Sequence, residues 1–266
     1  MHREVLTMLV LMTLVSGIQV LEPTEKEIGE GSEVYLGEIG PGQTIQVTIE
    51  PRVTTGGILG KGGDYDLATV TKLPEGWKFE KSKLHGKPLQ VTITADKYAP
   101  EGNYTVDITV VDEFNGEELG NVTFKGEVDI TWDVLDVEIA PKNVKVGPGQ
   151  PAKFEITIHN KGTTSDVFEI SSIGMKRWEF TKTVFVPGKS SKTIPYEMTA
   201  YEEEEYEAKV TVSSMASDII QHTEDVTVVV SSDVMGDYKA TNNGVLLFPL
   251  FEAPIYALAG LISNLF

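Results

Sequence analysis

"GPGQTIQVTI" occupies residues 40–49, and residues 147–158 read "GPGQPAKFEITI". In both copies a Gly-Pro-Gly-Gln turn opens a run with an apolar residue at every second position. These are Ile45, Val47 and Ile49 in the first, and Phe154, Ile156 and Ile158 in the second. Glycine supplies dihedrals that other residues avoid, and proline fixes its own φ. Alternation with period two marks a strand with one buried face and one wet face. Other landmarks recur in the same order. Trp77 in "LPEGWKFE" returns as Trp178 in "GMKRWEFT". "LHGKPLQVTI" is answered by "VPGKSSKTI", and Tyr104 in "NYTVDITVV" by Tyr206 in "EYEAKVTVS". A period of about 100 residues is too long for a solenoid repeat and predicts tandem domains.

Each unit reads as β structure. Further alternating runs are Leu89-Val91-Ile93, Tyr104-Val106-Ile108-Val110, Ile194-Tyr196-Met198 and Tyr206-Ala208-Val210-Val212. Pro-Gly, Pro-Glu-Gly, His-Gly-Lys and Asn115-Gly116 supply turns between them. The fold class is therefore all-β: two tandem immunoglobulin-like β-sandwiches, with Trp77 and Trp178 expected in their cores. From Val122 the apolar residues keep even positions through Phe124, Val128, Ile130, Trp132 and Val134. From Leu135 they move to odd ones, Val137 and Ile139. Such a slip changes the buried face, and sets the module boundary at 134/135. Residues 22–134 form sandwich one and residues 135–231 sandwich two. So short a junction is expected to restrict bending between them.

The two ends differ from this body. Residues 1–21 place Arg3 before an apolar run from Val5 to Val15, followed by Ser16 and Gly17. That is the layout of a secretory signal peptide cleaved after Gly17, or of an uncleaved signal anchor, since Glu4 offsets Arg3. Residues 232–243 read as a polar linker. Residues 244–266 are apolar and long enough to span a membrane as a helix. Pro249, Glu252 and Pro254 interrupt the pattern, and Glu252, Tyr256 and Gly260 make a polar stripe at helical spacing. The segment is expected to span a membrane, lie on one, or dock on a partner.

Composition excludes some functions. The chain has 41% hydrophobic residues, enough for ordinary cores, and no cysteine, so it has neither disulfides nor thiolate zinc sites. Its net charge of −18 leaves no basic surplus for nucleic acid.

Module two carries a connected motif set: "GPGQPAKFEITIHNKGTTSDVFEI", then "RWEF", "VPGKSSKTIPYEMTA" and "YEAKVTVSS". It resembles the NEW3-type and CARDB-like immunoglobulin-fold domains. Module one resembles a diverged member, with "APEGNYTVDITVV" near the family's closing hairpin. It lacks Asn-x-Gly and has the longer "RVTTGGILGKGGDYD" instead. The resemblance covers residues 30–231. Such domains occur beside catalytic domains in secreted glycosidases and in archaeal cell-surface membrane proteins. An accessory extracellular role is what the resemblance implies; it carries over no site residues.

No catalytic constellation emerges. His2, His85, His159 and His222 lack His-Glu-x-x-His spacing, and there is no Gly-x-Ser-x-Gly elbow. "GGILGKGGDYD" fails the phosphate-loop pattern because Gly62 follows Lys61. Asp64 and Asp66 in that loop, and Glu202 and Glu204 in the acidic run 202–205, are the only candidates for a calcium ion. The run otherwise reads as a solvated hairpin tip. Asn103 and Asn121 begin glycosylation sequons. The expected function is a non-catalytic, membrane-anchored surface protein whose two modules serve binding, adhesion or spacing. Its partners would be the membrane, through residues 244–266, and protein or polysaccharide. Two alternatives stand beside it. One is a carbohydrate-binding accessory module using exposed aromatics such as Tyr65 or Tyr98. The other is the ectodomain subunit of a membrane or extracellular assembly.

Overall fold

The computed structural model describes residues 18–51, 65–113, 120–175 and 180–232. All regular elements among them are strands. The chain divides into two units, Met1–Thr131 and Trp132–Phe266.

In unit one, β1 (Ile18–Glu22), β2 (Lys26–Ile28), β4 (Thr44–Pro51), β7 (Leu89–Thr94) and β6 (Lys78–Glu80) form one sheet, in the order β2-β1-β4-β7-β6. The facing sheet has β3 (Glu33–Ile39), β9 (Val122–Ile130), β8 (Gly102–Val111) and β5 (Leu67–Lys72), in the order β3-β9-β8-β5. Ile45, Val47, Ile49, Leu89, Val91 and Ile93 from one sheet meet Val106, Ile108, Val110, Phe124 and Val128 from the other in a single core. Trp77 lies in that core, its ring centroid 5.3 Å from that of Tyr104. Trp178 lies outside the described residues.

Unit two repeats the plan. One sheet orders β10 (Leu135–Ala140), β12 (Pro151–Asn160) and β15 (Ser190–Thr199). The other holds β11 (Asn143–Val146), β17 (Gln221–Val230), β16 (Glu205–Ser214), β13 (Asp166–Ile173) and β14 (Lys182–Val186), in the order β11-β17-β16-β13-β14. The core gathers Phe154, Ile156, Ile158, Phe168, Tyr196, Val210 and Val228. All the alternating runs read from the sequence become strands with the expected inward faces, Tyr104 being half-buried. The pairing is that of an immunoglobulin-like sandwich.

The repeated phrase has one physical meaning in both units. A short strand, β3 or β11, runs parallel to the unit's last strand, β9 or β17. The chain then turns through Gly-Pro-Gly-Gln and enters the opposite sheet as β4 or β12. The glutamine side chain closes the turn: Gln43 Oε1 accepts from Gly40 N at 2.8 Å, and Gln150 Oε1 from Gly147 N at 3.3 Å. The second glycine has φ of 77° in Gly42 and 75° in Gly149, a region that side chains disfavour. Its amide donates to the carbonyl of Asp96 in one unit and of Ala200 in the other. The residue before the turn, Ile39 or Val146, accepts from Thr131 N or Ser231 N. Each turn thus fastens both sheets.

Three expectations change. Residues 18–21, assigned to the leader, belong to β1, where Ile18 and Val20 are buried and pair with β4. Residues 132–134 belong with unit two: Val134 O accepts from Lys161 N at 2.9 Å, and Asp133 binds the Lys161 ammonium at 2.8 Å. The even-position pattern therefore stops at Ile130, where pairing with β8 ends, and Trp132 is 50% exposed. The acidic run 202–205 is not a hairpin tip but a crossing between sheets, because β15 and β16 lie in different ones.

Candidate binding surfaces

The crossing from β7 to β8, and from β15 to β16, is held the same way in each unit. Tyr104 Oη donates to Pro100 O at 2.9 Å, and Tyr206 Oη donates to Glu202 O at 3.3 Å. Each tyrosine reaches back four residues, which is the tyrosine-corner device of sandwich folds. This anchored crossing displays a second tyrosine to solvent. Tyr98 is 81% exposed and Tyr201 78%. Tyr65, the other aromatic expected at a surface, is 4% exposed and joins the core, and burial raises its phenol pKa.

The calcium candidates separate. Asp64 lies outside the described residues. Asp66 is buried and engaged: Oδ1 accepts from Glu113 N at 3.0 Å and Oδ2 stands 3.4 Å from His85 Nδ1. Its backbone bonds to Val111 and His85. The carbonyls of Glu202 and Glu204 accept from the Tyr206 hydroxyl and from Val230 N. Among the described residues no three His, Asp or Glu side chains stand close enough together to hold a metal ion. The two sequons also differ. Asn103 lies in β8 with its Nδ2 donating to Asp129 Oδ1 at 2.9 Å. Asn121 is exposed, immediately before β9.

The Asn-x-Gly and Pro-Gly-Lys motifs of module two prove to be mutual supports. Asn160 is buried at the end of β12. Its Nδ2 donates to Thr164 O and Val186 O, at 2.9 and 3.2 Å, and its Oδ1 accepts from Gly162 N. Lys189 N donates to Gly162 O at 2.8 Å. Gly188 packs so closely here that a Cβ would lie 2.0 Å from Thr163 O. Asn-x-Gly and Pro-Gly-Lys are therefore two halves of one structural clasp.

Beside this clasp lies a feature that the sequence did not single out. An open groove of about 460 Å³ is lined by Asp136 and Glu138 of β10, His159 of β12, and Ser191 of β15, with Lys161 and Lys189 at its end. Register explains the grouping: Asp136 pairs with His159, and His159 with Ser191. His159 Nδ1 is 2.6 Å from Ser191 Oγ, and its Nε2 is 3.9 Å from Glu138 Oε1. The Lys161 ammonium is held by Asp133, which raises its pKa, and also stands 3.8 Å from Asp136. A smaller cleft of about 270 Å³ lies between Phe180, Lys182, Pro195, Tyr196 and Glu197. Here the free edge of β15 is blunted by Pro195, and Lys182 Nζ donates to its carbonyl at 2.8 Å.

No protein-family profile matches the chain, and no curated protein does. Solved structures do resemble it. A chimeric titin Z1Z2 carrying a peptide from decorin aligns with 82% of this chain and 99% of its own, at 11% identity and a TM-score of 0.33. The CARDB domain of a Pyrococcus furiosus protein, solved with di-metal ions, aligns with 36% of this chain and 87% of its own, at 21% identity and TM-score 0.29. A β-glucosidase from Listeria innocua aligns with 38% of this chain and 16% of its own, at 16% identity and TM-score 0.27. These superpositions are loose, and the fold assignment comes from the strand pairing of this chain itself.

Proposed function

We propose that this chain is a non-catalytic surface protein that presents two immunoglobulin-like sandwiches for binding, adhesion or spacing. Residues 1–17 direct its export and residues 244–266 hold it at a membrane. The observation that carries this reading is the position of β1. The leader-like sequence pattern ends at Gly17, and Ile18–Glu22, which follows it, is a core strand. Removal after Gly17 keeps all of Ile18–Glu22, whereas removal after residue 21 deletes most of this strand, which pairs with both β2 and β4. Among the described residues no helix is long and apolar enough to cross a membrane, and residues 244–266 lie outside them. Cell fractionation with sequencing of the mature N-terminus tests the proposal. Membrane-fraction protein beginning at Ile18 is expected. Full-length protein in the cytosol contradicts it.

A second reading, carbohydrate binding, is favoured by Tyr98 and Tyr201. Both are exposed, and both occupy the same crossing in their module. An aromatic face stacks on a sugar ring with little entropic cost. Retention on insoluble polysaccharide that falls in Tyr98→Ala and Tyr201→Ala supports this reading; no retention removes it.

A further inference from the structure

We propose that the segment from Lys78 to Lys83 is a docking strip for an acidic polysaccharide. Every described lysine outside residues 72–83 takes part in an ion pair, a hydrogen bond or another electrostatic interaction. The side chains of Lys72, Lys78, Lys81 and Lys83 take part in none. Lys72 stands opposite Asp107 of β8, so the strip begins at Lys78. In a chain with 40 acidic residues and a net charge of −18, unmatched ammonium groups gathered in one stretch fit an anionic partner. Residues 72–87 hold five lysines against Glu75 and Glu80, a local surplus of positive charge. Acidic groups elsewhere do not cancel it, because exposed charges more than about 8 Å apart are largely screened at physiological salt.

The fold holds the strip in place. Lys78 lies in β6, the last strand of its sheet, and the chain then leaves for β5 of the facing sheet. There Ser82 N donates to Ala68 O at 2.9 Å, Ala68 N to Ser82 Oγ at 2.8 Å, and His85 N to Asp66 O at 2.9 Å. Lysine is common on free sheet edges, where it blocks unwanted pairing. That role covers Lys78 but not Lys81 and Lys83, which follow the strand on a segment already bound to β5. The lysines are strung along the chain rather than gathered round one point, so they suit an extended partner. One exposed ion pair contributes little, whereas a polymer charged at each repeat engages several at once. Phe79 and Leu84 beside the lysines are each 42% exposed. Two such side chains are too few for the desolvated centre of a protein interface or for insertion into a bilayer. An exposed aromatic ring can lie against a sugar. The inference rests on the surface reading above only for where such a polymer is met, and binding in solution tests it without that reading.

The test titrates the full chain with polygalacturonate and with uncharged dextran. Saturable binding to polygalacturonate that weakens as salt is raised is expected, with none to dextran. The triple variant Lys78→Gln, Lys81→Gln, Lys83→Gln should lose at least about tenfold in affinity. These side chains have no partner in the chain, so the variant should fold normally, and the matching triple Lys→Arg variant should keep binding. Lys153→Gln and Tyr201→Ala in module two are expected to change nothing. No binding to polygalacturonate, equal binding to dextran, or binding unaffected by the triple Gln variant overturns the proposal. So does a stronger dependence on these lysines for polyglutamate or for phosphatidylglycerol vesicles, which assigns the strip to a protein or a membrane instead.

Discussion

The two modules share a plan and part company at one strand. In module one, β6 bonds to β7; in module two its counterpart β14 bonds to β13, in the opposite sheet. Side-chain pattern accounts for the difference. β14 reads Lys-Thr-Val-Phe-Val, and Val184 and Val186 point inward into the core. β6 reads Lys-Phe-Glu and is exposed throughout, so it has no apolar face to commit to either sheet. Module one compensates with a single residue. Ser82 Oγ accepts from Ala68 N at 2.8 Å and Ser82 N donates to Ala68 O at 2.9 Å, securing the edge of β5, whose counterpart β13 is covered by β14 in module two. The lesson is that the central strands and the Gly-Pro-Gly-Gln turn define the sandwich, while an edge strand goes where its own alternation sends it.

The sharpest way to break this comparison is at the clasp. Gly188→Ala places a methyl against the Thr163 carbonyl, and should cost module two about 3 kcal/mol. The counterpart Gly86→Ala meets carbonyls at 3.1 Å and should cost less. Amide signals followed through thermal unfolding should show the loss in Gly188→Ala confined to module two and the smaller loss in Gly86→Ala confined to module one. Asn160→Ala comes next. It leaves the carbonyls of Thr164 and Val186 and the amide of Gly162 without their partner, for a loss of about 2 kcal/mol on chemical denaturation.

The tyrosine corners sharpen the likeness rather than the difference. Tyr104→Phe and Tyr206→Phe each remove one hydrogen bond to a carbonyl four residues upstream. Both should cost about 1 kcal/mol. Unequal losses would mean that the two crossings are not built alike.

The smallest effects are electrostatic. Tyr35 of β3 is pushed up to about 12, by burial first and then by its hydrogen bond to Asp129. An acid whose pKa is raised on folding contributes stability below its unfolded value of 10.0, and loses it as pH climbs towards 12. Asp129→Asn should bring the phenolate absorbance step of Tyr35 down in pH. In module two, hydrogen bonds from Lys142 and His222 hold Glu224 below the usual carboxylate range. That contribution is present above pH 4.5 and is lost as pH falls through the lowered value. Lys142→Met should reduce the acid sensitivity of module two by less than about 1 kcal/mol, because the pair is partly exposed.

Alternation made the central strands legible because burial of one face imposes period two on composition. The turn was legible because only glycine and proline meet its dihedrals. β1 was misassigned in part because a core strand following an apolar leader has no change of hydropathy to mark it; only its pairing with β4 does. The exposed Tyr98 and the buried Tyr65 could not be told apart by residue type, since tyrosine serves both places. The groove around His159 was invisible for a different reason. Its members come from three strands, and cross-strand register is a property of pairing rather than of any one stretch.

The absence of cysteine allows the central claim to be tested by introduced thiols alone. Lys78 faces Thr94 across β6 and β7, and Val167 faces Phe185 across β13 and β14. Cysteines placed at 78 and 94, or at 167 and 185, would stand directly opposite one another on paired strands, the arrangement a cross-strand disulfide uses. The account predicts that both double variants oxidise quantitatively to intramolecular disulfides in the folded protein. A 167/185 pair that stays reduced while a cysteine at 185 couples to one on β15 would contradict it.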